Sequence, residues 1–148
     1  MAGGLRLLGH PIHPIVNHAP MGLLSVCVAF DVLGLCLGSL IWWEVGFWNI
    51  AAGLVTAAPA VVSGLADFIA HVRGPRPERL AVVHLTLMLS ALGAFGLGLV
   101  FRRSPELSDG SLRLVAVGID CLGTLLLAAG GWFGGELVYG HAVGVRQG

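Results

Sequence analysis

Four long apolar stretches separated by short polar connectors organise this chain: residues 14–41, 47–70, 80–101 and 112–137. Each is long enough to cross a bilayer, which takes about 20 apolar residues in a helix. The connectors are residues 42–46, 71–79 (HVRGPRPER) and 102–111 (RRSPELSDGS). Gly74, Pro75 and Pro77 break the second, and Pro105 with Asp109 and Gly110 breaks the third. Short connectors force neighbouring helices to run antiparallel. The pattern therefore predicts an all-α protein, an up-down-up-down bundle of four transmembrane helices making one domain over residues 1–148.

Composition agrees with a membrane chain. Of 148 residues, 56% are hydrophobic and 11% charged, against about a quarter charged in soluble proteins. The net charge is zero and no basic patch with interleaved aromatics occurs, so nucleic acid is not an expected partner. Cys27, Cys36 and Cys121 stand singly in apolar runs, with no CxxC or CxxCH. That excludes a zinc knuckle and a covalently attached c-type haem, and leaves the thiols as small buried side chains. The opening MAGGLRLLGHPIHP has one Arg before His10 and no small-residue cleavage site. The first helix is therefore expected to be an uncleaved signal-anchor.

Orientation rests on arginine, because the chain has no lysine. Arg6, Arg73, Arg76, Arg79 and Arg146 fall on the side of the termini, and Arg102, Arg103 and Arg113 on the other. The excess predicts cytoplasmic termini, with Trp42, Trp43 and Trp48 belting the far interface and Trp132 and Tyr139 the near one.

All six histidines fall at the same end of the predicted bundle: His10, His13, His18, His71, His84 and His141. Ionisable groups near membrane depth usually mark a site, and imidazole is a common ligand of haem iron and of bare metals. His18 lies four residues beyond Pro14 and His84 four beyond Leu80, so both sit roughly 6 Å into their helices. Matched depth on separate helices makes them the expected axial pair of a haem b, with His141 and His71 as substitutes or supporting donors. His10 and His13 each precede a proline, which favours an extended turn outside the bilayer. Met88, one turn past His84, is a further conceivable ligand, though packing is the plainer reading for it.

Helix faces add to this picture. Gly53, Ala57, Ala60, Gly64, Asp67 and His71 follow one another at steps of four and three, and Asp120, Gly123, Leu127, Gly130, Gly134, Leu137 and His141 keep the same rhythm. Such spacing puts each set on one stripe. His18 likewise shares a face with Gly22, Ser25 and Ala29. Small residues there let helices pack closely, or clear a flat slot for a porphyrin beside Gly64 and Gly134. Arg73, Arg76 and Arg79 lie between His71 and His84, where they could meet haem propionates. A bare divalent metal would want carboxylates, and Asp67 and Glu136 stand at this end beside His18 and His84.

Asp31 and Asp120 fall well inside the first and fourth helices, away from the histidines. The helix rise puts their heights within ~7 Å of each other. They read either as a proton-sharing pair or as carboxyls fixing helix contacts through Ser or Thr.

The two ends of the chain resemble a known family. GHPIHPIVNHAPMGLL resembles the HPxHP…HxPxGL opening of the bacterial four-helix membrane family catalogued as domain of unknown function 2231. GGWFGGELVYGHAVGV is similar to its GGxLVYxHGxGV ending, with Ala142 where the family usually has glycine. Asp31, Asp67 and His84 match positions where its helices carry polar residues. The family has no established activity. Some members are similar to the membrane part of proteins that also carry a Rieske iron–sulfur domain, which implies a redox setting, although this chain has none of that domain's ligands. The resemblance implies a multi-pass protein of the bacterial inner membrane.

The expected function is accordingly non-covalent haem b binding for membrane electron transfer, within a membrane redox complex or a homo-oligomer. No nucleophile–base pairing or phosphate loop points to an independent enzyme. Two alternatives stand beside it: a non-redox accessory or assembly subunit, and a divalent-metal-binding membrane protein using His18, His84, Asp67 and Glu136.

Overall fold

The computed structural model describes residues 5–102 and 110–143. Four helices make the bundle: α1 (Ile12–Leu37), α2 (Leu40–His71), α3 (Pro75–Arg102) and α4 (Gly110–Gly135), the last continuing as a π-helical turn over Glu136–Gly140. All four are long and apolar enough to span a membrane. Residues 103–109, including Pro105 and Asp109 of the expected third break, lie outside the described residues, as does Arg146.

Boundaries differ from the apolar pattern for local reasons. The chain enters through a small antiparallel hairpin, β1 (Arg6–Leu7) with β2 (His10–Pro11). Leu8 and Gly9 turn it with φ of 50° and 84°, the double positive φ that matches the twist of paired strands. Helix α1 then starts at Ile12, taking in His13 and Pro14. A proline in the first turn is tolerated because its missing N–H has no intrahelical partner there. The expected connector 42–46 is helical, and the actual turn is Gly38–Ser39, with Gly38 left-handed at φ 60°. Gly74, at φ 94°, makes the corner before α3. Arg102, expected in a connector, is the last residue of α3.

The two helical hairpins repeat one another. Buried Pro20, Leu24, Cys27 and Asp31 of α1 recur 71 residues later as buried Ala91, Phe95, Gly98 and Arg102 of α3. Buried Gly46, Ile50, Gly53, Ala57 and Ala60 of α2 recur 70 residues later as Ala116, Asp120, Gly123, Leu127 and Gly130 of α4. Helix α1 packs chiefly on α2 and α3 chiefly on α4, while the hairpins meet through two smaller interfaces of similar size. Equivalent helices run the same way, so the halves are related by an approximate two-fold axis along the bundle, the geometry of a parallel repeat.

Close helix approach holds each hairpin together. Lipid is as apolar as leucine, so packing and interhelical hydrogen bonds supply the cohesion. A Cβ on Gly53 would come within 2.6 Å of Leu24 Cδ2, and one on Gly123 within 3.1 Å of the Phe95 ring. These equivalent notches seat the two largest core side chains, in a cluster with Cys27, Ile50, Ala91 and Leu127. Asn49 Nδ2 donates to Leu23 O across α1 and α2 at 2.6 Å. A second cluster, Val72, Ala81 and Leu137, closes the histidine end.

Candidate functional site

The repeat puts polar side chains in two layers, one at each end of the bundle. In each hairpin 18 residues separate them, His13 from Asp31 and His84 from Arg102. At 1.5 Å per residue that is roughly 27 Å, close to the hydrocarbon thickness of a bilayer.

The first layer holds equivalent histidines in equivalent seats. His13 Nδ1 lies 2.9 Å from Ala60 O and 3.4 Å from Ser63 Oγ. His84 Nδ1 lies 2.7 Å from Gly130 O. A carbonyl only accepts, so in the neutral ring Nδ1 carries the proton and donates it, leaving Nε2 with the lone pair. The glycine one turn on makes room in both cases: a Cβ on Gly64 would meet His13 Cε1 at 2.8 Å, and one on Gly134 would meet His84 Cε1 at 2.9 Å. The two half-buried rings are near enough to interact electrostatically. His71 and His141 form the second equivalent pair. His71 Nδ1 lies 3.6 Å from Asp67 Oδ1, and His141 Nε2 is buried without a hydrogen-bond partner among the described residues.

Other expected site residues stand elsewhere. His18 is exposed on the outside of the bundle, along with Gly22, Ser25 and Ala29 of its stripe, and its counterpart Leu89 is an exposed apolar residue. Among the described residues no interaction joins His18 to His84. His13, expected outside the bilayer, is instead half-buried in the first turn of α1. His10 stays exposed in β2. The glycine stripes hold no flat slot, because neighbouring side chains fill them: His13 at Gly64, His84 at Gly134 and Met88 at Gly130. Arg73 Nη1 donates to Ile69 O at 3.0 Å and Val72 O at 2.7 Å, closing the end of α2. Arg76 and Arg79 are exposed, and exposed Glu136 lies beside Gly140 in the π-helical turn. Among the described residues no group of three or more His, Cys, Asp or Glu stands close enough to hold a metal ion.

The second layer is one that the sequence reading only half found. Asp31 of α1 and Asp120 of α4 are fully buried, and both accept hydrogen bonds from Arg102 Nη2, the latter at 2.7 Å. Their carboxyls find a guanidinium, in place of the expected Ser or Thr; Thr124 bonds the main-chain oxygen of Asp120 instead. Arg102 Nη1 donates to Trp43 O at 3.4 Å, and the guanidinium carbon lies 4.2 Å from the centroid of the Trp43 ring, within cation–π range. Gly46 and Gly98 leave room for the cluster: a Cβ on Gly46 would come within 3.1 Å of Arg102 Nη1, and one on Gly98 would strike the Asp120 carboxylate. Arg102 therefore does not count as a connector charge in the orientation argument. The signal that could have found it is the 71-residue offset, which pairs position 31 with position 102.

A bundle of four apolar spanning helices with polar layers at its ends defines a multi-pass membrane protein in contact with the lipid bilayer. The chain belongs to the family described as "Predicted membrane protein (DUF2231)", whose profile matches residues 9–147. No curated protein and no solved structure matches it.

Proposed function

We propose that this protein binds haem b at its histidine end and serves membrane electron transfer, with His13 and His84 as the axial ligands. The supporting observation is the pair of equivalent imidazoles whose Nδ1 atoms are each anchored to a main-chain carbonyl. That anchoring fixes the tautomer and leaves Nε2 as the ligating nitrogen, as metal-bound histidines generally require. A haem iron draws four ligands from the porphyrin and asks only two of the protein, which suits a site built on two seats. The porphyrin would enter the seam between hairpins, the less densely packed interface, where His71 and the unpartnered His141 Nε2 stand as neighbouring donors. His18, facing outward, takes no part in this version of the site.

The filled glycine notches favour a second reading, an accessory subunit in which the histidines only tie helices together. Absorption spectra separate the two. The purified, haem-replete protein should show the sharp reduced α and Soret bands of low-spin bis-histidine haem b. H13A and H84A should each lose them, and H18A should keep them. A featureless spectrum would overturn haem binding. Bands that survive H13A but vanish in H18A would keep the haem and restore His18 as the ligand.

A further inference from the structure

We propose that the Asp31–Arg102–Asp120 cluster at the other end of the bundle is a proton-binding site that holds one exchangeable proton on a carboxyl oxygen. It rests on a different layer from the haem reading and stands without it. Two buried carboxylates share a single guanidinium nitrogen. If both were ionised, the cluster would carry a net charge of −1 inside the bundle, where an uncompensated charge is strongly disfavoured. One carboxylate would suffice to neutralise Arg102, so the second has no structural need to be acidic. One added proton brings the cluster to neutrality.

The atoms for that proton are visible. Asp31 Oδ2 and Asp120 Oδ1 are both buried without a hydrogen-bond partner, as is Arg102 Nε. An unpartnered carboxylate oxygen held this way is costly, and protonation lowers the charge that makes it so. The groups facing the cluster supply no other counter-charge within it: Cys27 from α1, Trp43 and Gly46 from α2, Gly98 from α3 and Thr124 from α4. Arg113 of α4 lies farther out, 5.9 Å from the Trp43 ring centroid. A groove of about 370 Å³ lined by Leu40, Trp43, Glu44, Phe47, Trp48 and Arg102 opens onto the cluster, with Glu44 exposed along it. In uptake, a hydronium ion from the aqueous phase gives its proton to a carboxylate oxygen, an O–H bond forms and water leaves; release is the reverse.

The test is infrared difference spectroscopy of the full-length protein in liposomes across a pH series, with aspartate carboxyl carbons labelled with carbon-13. The wild type should gain and lose one carboxylic-acid carbonyl band per chain, shifted by the aspartate label and by deuterium exchange. D31N and D120N should each abolish it, because the remaining carboxylate balances Arg102 and stays ionised. Three results would overturn the proposal: no aspartate-linked acid band while the protein is folded, a band that ignores pH, or its survival in either variant. The wild-type spectra decide the first two even if a variant fails to fold.

Discussion

Removing Arg102 should be the most damaging single change in the bundle. R102M keeps a long apolar stem but deletes the guanidinium that ties α3 to Asp31 of α1, to Asp120 of α4 and to the Trp43 carbonyl of α2. Two charge-assisted bonds at roughly 1.5–3 kcal/mol each set the scale. Breaking a buried ion pair by deleting one partner costs about 3–5 kcal/mol, because the other charge is left uncompensated. The carboxylates can shed part of that cost by taking up protons, so about 3–5 kcal/mol is the expected loss of stability in reversible unfolding from mixed micelles.

The neutral triple variant D31N/R102M/D120N provides the internal check. If the loss in R102M comes from orphaned carboxylates, removing those charges should recover at least half of it, which is strong non-additivity among contacting residues. R102M within about 1 kcal/mol of wild type would refute the reasoning, as would a triple variant no more stable than the single one.

The glycine notches make a paired prediction. G64A and G134A should each displace a histidine ring and cost about 1–3 kcal/mol, as overpacking does. G22A and G118A, where a Cβ would meet nothing within 4 Å, should be neutral or stabilising; equal effects at all four sites in the same unfolding assay would dismiss the notches. Ala142 sits at φ 52°, in the left-handed region that costs an L-residue roughly 1–2 kcal/mol. A142G should stabilise the π-helical end by about 1 kcal/mol, seen as slower amide exchange at neighbouring residues, and unchanged exchange would count against strain there.

The bundle was legible because runs of more than 20 apolar residues admit few other structures. Its edges were less so. Trp42, Trp43 and Glu44 read as a polar break, yet a two-residue turn with left-handed Gly38 suffices and lets them extend α2. His13 was misjudged because flanking prolines usually signal extended chain, whereas Pro14 falls in the one helical turn that tolerates it. Arg102 was hidden by its neighbours: in RRSPELSDGS it looks like one more connector charge, and only tertiary contact with two distant aspartates sets it apart. The glycine stripes at 53–71 and 123–141 already carried the 70-residue offset. Their rhythm was visible, but comparing one with the other would have paired His71 with His141 and sent the same search on to His13 and His84.

What the two halves keep alike and what they vary differ by layer. At the histidine end the equivalent positions are the same residue, His13 with His84 and His71 with His141, each set on separate hairpins. Identical donors across an approximate two-fold axis suit a ligand that presents two like faces, as a porphyrin does to its axial imidazoles. At the other end identity would fail. Two aspartates or two arginines at positions 31 and 102 would repel across the seam, in a medium that screens charge poorly. Opposite charges there bind the unlike hairpins to each other and leave either hairpin poorly matched to a copy of itself. Asp120 then breaks the pattern again, since its counterpart is Ile50. Arg102 already has Asp31, so neither the pairing of hairpins nor the neutrality of the guanidinium calls for a second acid. A proton to be held and released does.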